Sequence, residues 1–179
     1  MNDPLLPPPA PSPSAPPAAV PPERRLIGSR AEMAAAMDAL LALRPRMLRI
    51  ASIDGSHFGL DSRRVMDALL ELLRHDHQAH VRVLVDDPAW IETRAARLKL
   101  AQRRYPHAIE LRVAAVDNPV GEDVIMLADR SHSIDVRAGR LVTGELWLTN
   151  APRAQPLLAG FDRRWDTAAH NLPVSPLGL

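Results

Sequence analysis

Ser52, Asp54, Ser56 and His57 fall within one six-residue stretch, Ser52-Ile-Asp-Gly-Ser-His57. A hydroxyl, an imidazole and a carboxylate are the parts of a serine nucleophile, its general base and the acid that orients the base. Such a set works only if the hydroxyl meets the imidazole and an oxyanion hole faces both. Ser56 and His57 are adjacent, and neighbouring side chains usually point apart. The stretch therefore reads first as a polar surface turn, next as a ligand-binding loop, which makes it the best site candidate in the chain, and last as a catalytic one. Two further groups carry metal-ligand types. His75, Asp76, His77 and His80 could hold zinc, but they fall at a helix end and in the loop after it, where cationic His suits the helix dipole. Asp86 and Asp87 could join Asp54 around magnesium, yet helix capping already accounts for Asp87. Neither group is read as a metal site, and no cofactor is expected.

The elements that would position these residues follow from periodicity and caps. Ser29-x-x-Glu32 has capping-box spacing ahead of an Ala- and Leu-rich run ending near Arg44. Met47 to Ser52 reads as a strand, and it delivers the Asp54 loop. Asp61 or Ser62 can cap a second helix, with Val65, Met66, Leu69, Leu70 and Leu73 recurring at three- and four-residue spacing. His80 to Val85 is the next strand. Asp87-Pro88 opens one long helix to about Arg104, and Ile109 to Ala115 follows as a strand. This β-α-β-α-β order implies parallel neighbours joined by right-handed crossovers, so the Asp54 loop lies at the carboxyl ends of the strands, where open α/β sheets bind ligands. Shorter hairpin-linked strands are expected at Asp123 to Ala128, His132 to Val136 and Leu141 to Leu148. Asn150 followed by Pro152 starts a last helix through Leu157, Phe161 and Trp165. The predicted fold is α/β, with a mixed, largely parallel sheet flanked by helices.

Composition narrows the function classes. The chain has 179 residues, 22 Lys and Arg against 21 Asp and Glu, and no cysteine. Net charge therefore names no partner, and thiolate chemistry, disulfides and thiolate metal sites are absent. Aromatics are 3% of the chain, leaving few rings to stack on bases or sugars. No apolar run is long enough to span a membrane and no leader pattern opens the chain, which predicts a cytoplasmic protein without membrane attachment. Residues 1–27, mostly Pro, Ala and Ser, are predicted to form a disordered tail, 28–170 the domain, and 171–179 a loose tail. The proline tail reads as a spacer, with a ligand for a proline-recognising module as its alternative.

The strand Val124-Ile-Met-Leu-Ala-Asp129, the hairpin after it, Thr149-Asn150 and the closing helix with Phe161 and Trp165 resemble one half of a phospholipase D-like domain. The resemblance covers roughly Arg44 to Trp165. Active members carry His-x-Lys-x4-Asp, in which the His attacks phosphorus and the Lys, with an Asn, holds the phosphate oxygens. With Asp129 in the motif's Asp position, Glu122 stands at the His position and Val124 at the Lys position. Lys99 is the single lysine and the residue two before it is Arg97, so His-x-Lys occurs nowhere in the chain. Asn150 also lies farther beyond Asp129 than in active members. The resemblance thus implies a degenerate, catalytically inactive binding or scaffolding domain. A phosphate-containing ligand or a protein is its expected partner, and pairing of two halves across their site face implies a homodimer. Candidate ligand-binding residues are Ser52, Asp54, Ser56, His57 and Asn150. Two alternatives stay open: a hydrolase built on Asp54, Ser56 and His57, and nucleic-acid binding through Arg94, Arg97, Arg103 and Arg104.

Overall fold

A computed structural model describes residues 20–137 and 142–169. Residues 1–19 of the tail expected at 1–27, the tail expected at 171–179, and the strand start expected at Leu141 lie outside the described residues. Ser29 Oγ accepts from Glu32 N at 3.2 Å, and Glu32 Oε2 accepts from Gly28 N at 2.7 Å; these bonds start helix α1 (Arg30–Ala42). Strand β2 (Met47–Ser52) follows. Ser62 then caps α2 (Arg63–His75), its hydroxyl accepting from Val65 N at 3.3 Å.

Beyond β3 (His80–Val85), the single helix expected up to Arg104 is two helices, α3 (Ala89–Arg94) and α4 (Ala96–Arg104). The chain breaks at Ala95, with φ −99° and ψ 57°. Asp61 supplies the cap: its Oδ1 accepts from Arg97 N at 2.6 Å and Leu98 N at 3.3 Å. A carboxylate at these orphan amides stabilises a helix start. Because Asp61 comes from the loop before α2, no local signal marks this boundary.

The remaining strands are β4 (Ile109–Val113), β5 (Asp123–Ala128), β6 (His132–Arg137) and β7 (Thr143–Leu148), and the chain closes on α5 (Ala151–Thr167). One further strand, β1 (Glu23–Ile27), pairs antiparallel with β7 along the sheet edge. Folded structure thus begins inside the stretch assigned to the N-terminal tail. Five residues rich in charge show no burial period, and their place comes from pairing with a partner far along the chain. Among the described residues the sheet order is β1-β7-β6-β5-β2-β3-β4. The β2-β3-β4 strands are parallel neighbours, as the β-α-β-α-β order requires. The sheet is mixed, as expected, but the other four neighbouring pairs are antiparallel, so "largely parallel" does not describe it. Short connections permit only antiparallel pairing for β5-β6 and β6-β7, while β1-β7 and β2-β5 pair strands far apart in the chain.

Alternation along each strand gives the sheet two faces. Leu48, Ile50, Val81, Val83, Val124, Met126 and Ile134 face the helices α1 to α4 in the larger core. Ala51, Leu84, Ile125 and Leu127 face α5, against Phe161 and Trp165. Helix α5 lies across the strands: Arg153 reaches Asp135 of β6 at 2.7 Å, Asp162 meets Arg49 of β2 at 3.1 Å, and Trp165 lies against Arg82 of β3 and Arg112 of β4 at 5.1 and 4.4 Å. Seventeen residues span about 25 Å, enough to bridge the roughly 19 Å from β6 to β4.

Candidate functional site

At the carboxyl end of β2 the chain folds into a tight turn around Asp54. The buried Ser52 hydroxyl accepts from Gly55 N at 2.9 Å, and Gly55 takes φ 85°, a left-handed conformation that glycine adopts without strain. Asp54 Oδ1 accepts from Ser56 N at 2.9 Å and from Ser56 Oγ at 2.7 Å. His57 Nδ1 lies 3.7 Å from the same oxygen. The structure therefore brings Ser52, Asp54, Ser56 and His57 together, with the carboxylate in the middle. A serine nucleophile hands its proton to an imidazole that a carboxylate orients. Here the hydroxyl and the imidazole both turn to the carboxylate, an arrangement that builds a turn and does not pair Ser56 with the imidazole that would take its proton in a triad.

Ser56 and His57 line a groove of about 560 Å³ between this turn, α1, the first turn of α2 and the β5–β6 strands. Its floor includes Met33, Met37 and Val124, and Arg30, Arg64 and Arg137 contribute to its lining. Arg64 is committed: its Nε donates to Asp38 at 2.8 Å and its Nη2 to the Ala34 carbonyl at 2.7 Å. Arg30 and Arg137 are exposed and make no ion pair within 4 Å among the described residues, although the Arg137 charge still favours ionisation of Asp135 two residues before it. Glu122 and Asp123 stand at the same end of the sheet, since Asp123 pairs with Arg137 across β5 and β6. Glu122 is exposed, and Val124 is fully buried in the groove floor.

Asn150 does not join this group. Its Oδ1 accepts from Arg153 N at 3.1 Å to cap α5, and its N donates to the Ser131 carbonyl at 2.7 Å. Ser131 precedes β6, so Asn150 stands at the opposite end of the sheet, about 17 Å away over six strand residues. Strand parity gives the reason. From the groove end β5 runs away, β6 returns and β7 runs away again, so a residue after β7 lands at the far end and one closing β6 lands at the groove. Counting passes in the sequence would have found Arg137, which was missed.

The far end has its own framework. Asp129 takes φ 52°; its Oδ1 accepts from Met47 N at 3.0 Å and its N donates to Met47 O at 2.9 Å, tying the end of β5 to the start of β2. Thr149, at φ 56°, donates its N–H to His132 Nδ1 at 3.0 Å. Burial holds the His132 imidazole below its ordinary pKa, against an opposing pull from the Asp129 carboxylate.

Asp86, Asp87, His75 and Asp76 are spent on structure. Both Asp86 oxygens accept backbone N–H groups, from Val120 at 2.7 Å and Gly121 at 2.9 Å, while Asp87 accepts from Ala89 N at 2.9 Å. His75 lies 3.3 Å from an Arg44 nitrogen, and Asp76 accepts from Arg46 Nε at 3.1 Å and Gln78 N at 2.8 Å. Among the described residues no three His, Asp or Glu side chains converge as a metal-binding set. No helix among them is long and apolar enough to cross a membrane.

A family model described as a domain of unknown function, DUF7931, matches residues 29–174. Comparison with curated proteins finds no match. Among solved structures, Nuc from Salmonella typhimurium, a phospholipase D family member, superposes with a TM-score of 0.60 at 14% identity, covering 84% of this chain and 98% of Nuc. NucT from Helicobacter pylori gives 0.61 at 10% identity, covering 84% of this chain and 99% of NucT. TrmBL2, an archaeal chromatin protein whose structure shows a novel mode of DNA binding, gives 0.61 at 10% identity, covering 83% of this chain. The chain spans 55% of the length of TrmBL2. At these identities the likeness concerns the fold, which is phospholipase D-like.

Proposed function

This chain belongs to the DUF7931 family, domains of unknown function, and we propose that it is a binding module on a phospholipase D-like fold that holds a phosphate-containing ligand without cleaving it. The observation that carries this reading is the composition of the groove end: Val124 buried in the floor and Glu122 exposed beside it, with Arg30 and Arg137 lining the groove. In-line attack on phosphorus needs an imidazole nucleophile and a fixed cation on the developing charge. A carboxylate at the nucleophile position repels a phosphate, and valine at the cation position supplies no charge. Two guanidiniums outside ion pairs can still hold phosphate oxygens through paired N–H donors. Lys99 cannot replace the missing lysine, because it sits on α4 and donates to the Glu92 carbonyl at 2.6 Å. In this reading the proline-rich stretch before β1 is a spacer. A cysteine-free chain has no need of an oxidising compartment, which favours the cytoplasm.

The test is calorimetric titration with phenyl phosphate beside a turnover assay on bis(4-nitrophenyl) phosphate. Saturable binding is expected, weakened about tenfold or more by Arg137→Gln, since a charge-assisted hydrogen bond contributes about 1.5–3 kcal/mol. No turnover is expected. Turnover abolished by His57→Ala would establish a hydrolase at the Asp54 turn, and binding indifferent to both Arg30→Gln and Arg137→Gln would remove the groove from consideration. Light scattering on the same sample tests the homodimer that the resemblance implies.

A further inference from the structure

Helices α2 and α4 carry matching stripes. On α2, Arg63, Met66, Asp67 and Leu70 recur at i, i+3, i+4 and i+7; on α4, Arg97, Leu100, Ala101 and Arg104 do the same. The two stripes line one cavity of about 440 Å³ on the side of α2 away from the phosphate-ligand groove. Met66 and Ala101 are buried at its base, while Leu100 is 57% exposed and flanked, one helical turn to either side, by Arg97 and Arg104. Helix α4 holds four basic residues, Arg97, Lys99, Arg103 and Arg104, and no acidic one.

We propose that this α2–α4 groove docks an acidic amphipathic helix of a protein partner. Apolar residues spaced by helical turns on both walls fit the i, i+3, i+4, i+7 anchors of a third helix. Three guanidiniums, Arg63, Arg97 and Arg104, line the groove against one carboxylate, Asp67, which lies 3.6 Å from Arg63, so the rim is net basic and fits carboxylates on that helix's flanks. Arg97 is held in place at the rim by Asp61, its Nη1 donating to the Asp61 carbonyl at 3.1 Å and lying 3.3 Å from Oδ2, and Arg104 stacks on Tyr105 at 5.7 Å. A nucleic acid would use the arginines but would leave the exposed Leu100 and the apolar floor without a counterpart. Helix α4 is about 13 Å long, so about two and a half turns of partner helix cover the groove.

The experiment is fluorescence anisotropy of the full chain with three labelled probes: a helical peptide with leucines at i, i+3, i+4 and i+7 and glutamates elsewhere, the same peptide with lysines for glutamates, and a duplex DNA. The acidic peptide is expected to bind at least about tenfold more tightly than its basic counterpart. Leu100→Asp and Arg104→Glu are each expected to weaken it about tenfold or more, while circular dichroism shows both variants folded, because both side chains are exposed. Equal binding of both peptides, or binding of neither, overturns the proposal. DNA binding lost in Arg104→Glu but kept in Leu100→Asp would also overturn it and make the face a nucleic-acid surface. The phosphate groove is not involved, so phenyl phosphate titration of the same variants separates this result from that of the binding-module reading.

Discussion

A side chain's job could be read from the sequence where its partner is close by. Ser29, Ser62 and Asn150 each cap the helix that follows them, because the amide they serve is three residues away. The Asp54 turn was found for the same reason, but its arrangement was not: that Ser56 and His57 both turn to the carboxylate, and not to each other, depends on the turn that Gly55 permits. Asp61 and Asp129 escaped, since each serves a backbone brought near only by folding. His132 shows how far such a pairing reaches into solution behaviour. Its Nδ1 accepts a backbone N–H, which requires an unprotonated nitrogen. Burial lowers its pKa from the ordinary 6.5, so below that value the unfolded chain binds more protons than the native state. Stability from this group is then full above about pH 6.5 and falls as the pH drops through the lowered native value. Asp135 works in the opposite sense at lower pH, because burial foremost raises its pKa and protonation relieves the buried charge. Urea denaturation at about pH 7.5 and about pH 5.5 should show the loss, and His132→Asn, which keeps an acceptor but cannot titrate, should flatten it.

Among the elements, those with a clear period or a local cap were recognisable, and those that depend on remote pairing were not. The strand-helix-strand core from Met47 to Val113 followed from alternating periods. The α3–α4 break and β1 did not, because their causes, Asp61 and β7, are far away in the chain. Parity through the β5–β6–β7 hairpins was in the sequence but uncounted, and it puts Arg137 at the groove end and Asn150 at the far end. Gly144 marks where β7 is pinned between its neighbours, opposite Ile27 of β1 and Val136 of β6. A Cβ there would overlap the Asp135 carbonyl and lie 2.6 Å from Val136 Cγ2. Backbone cannot yield as a flexible side chain would, so Gly144→Ala should cost about 1–3 kcal/mol. Chemical denaturation measures the cost, and faster proteolysis between β1 and α1 would place it at this edge.

For the whole molecule, the layered α/β class followed from the order of elements, and the phospholipase D-like topology from the Asp129 strand and the closing helix. Sheet order was not available in the same way, since a strand's second neighbour is set by chain paths that sequence does not record. Among the described residues, one sheet face is covered by four helices and the other by α5. That difference has a kinetic consequence. Helix α5 touches β6, β2, β3 and β4, and its pairing of Arg49 with Asp162 closes a separation of 113 residues. It can bury Phe161 and Trp165 only after most of the sheet exists, so its contacts belong to the late side of the folding barrier. Stopped-flow measurements on Phe161→Leu should therefore show faster unfolding and a nearly unchanged folding rate. The helix would then set how long a folded molecule lasts and have little say in how quickly one forms.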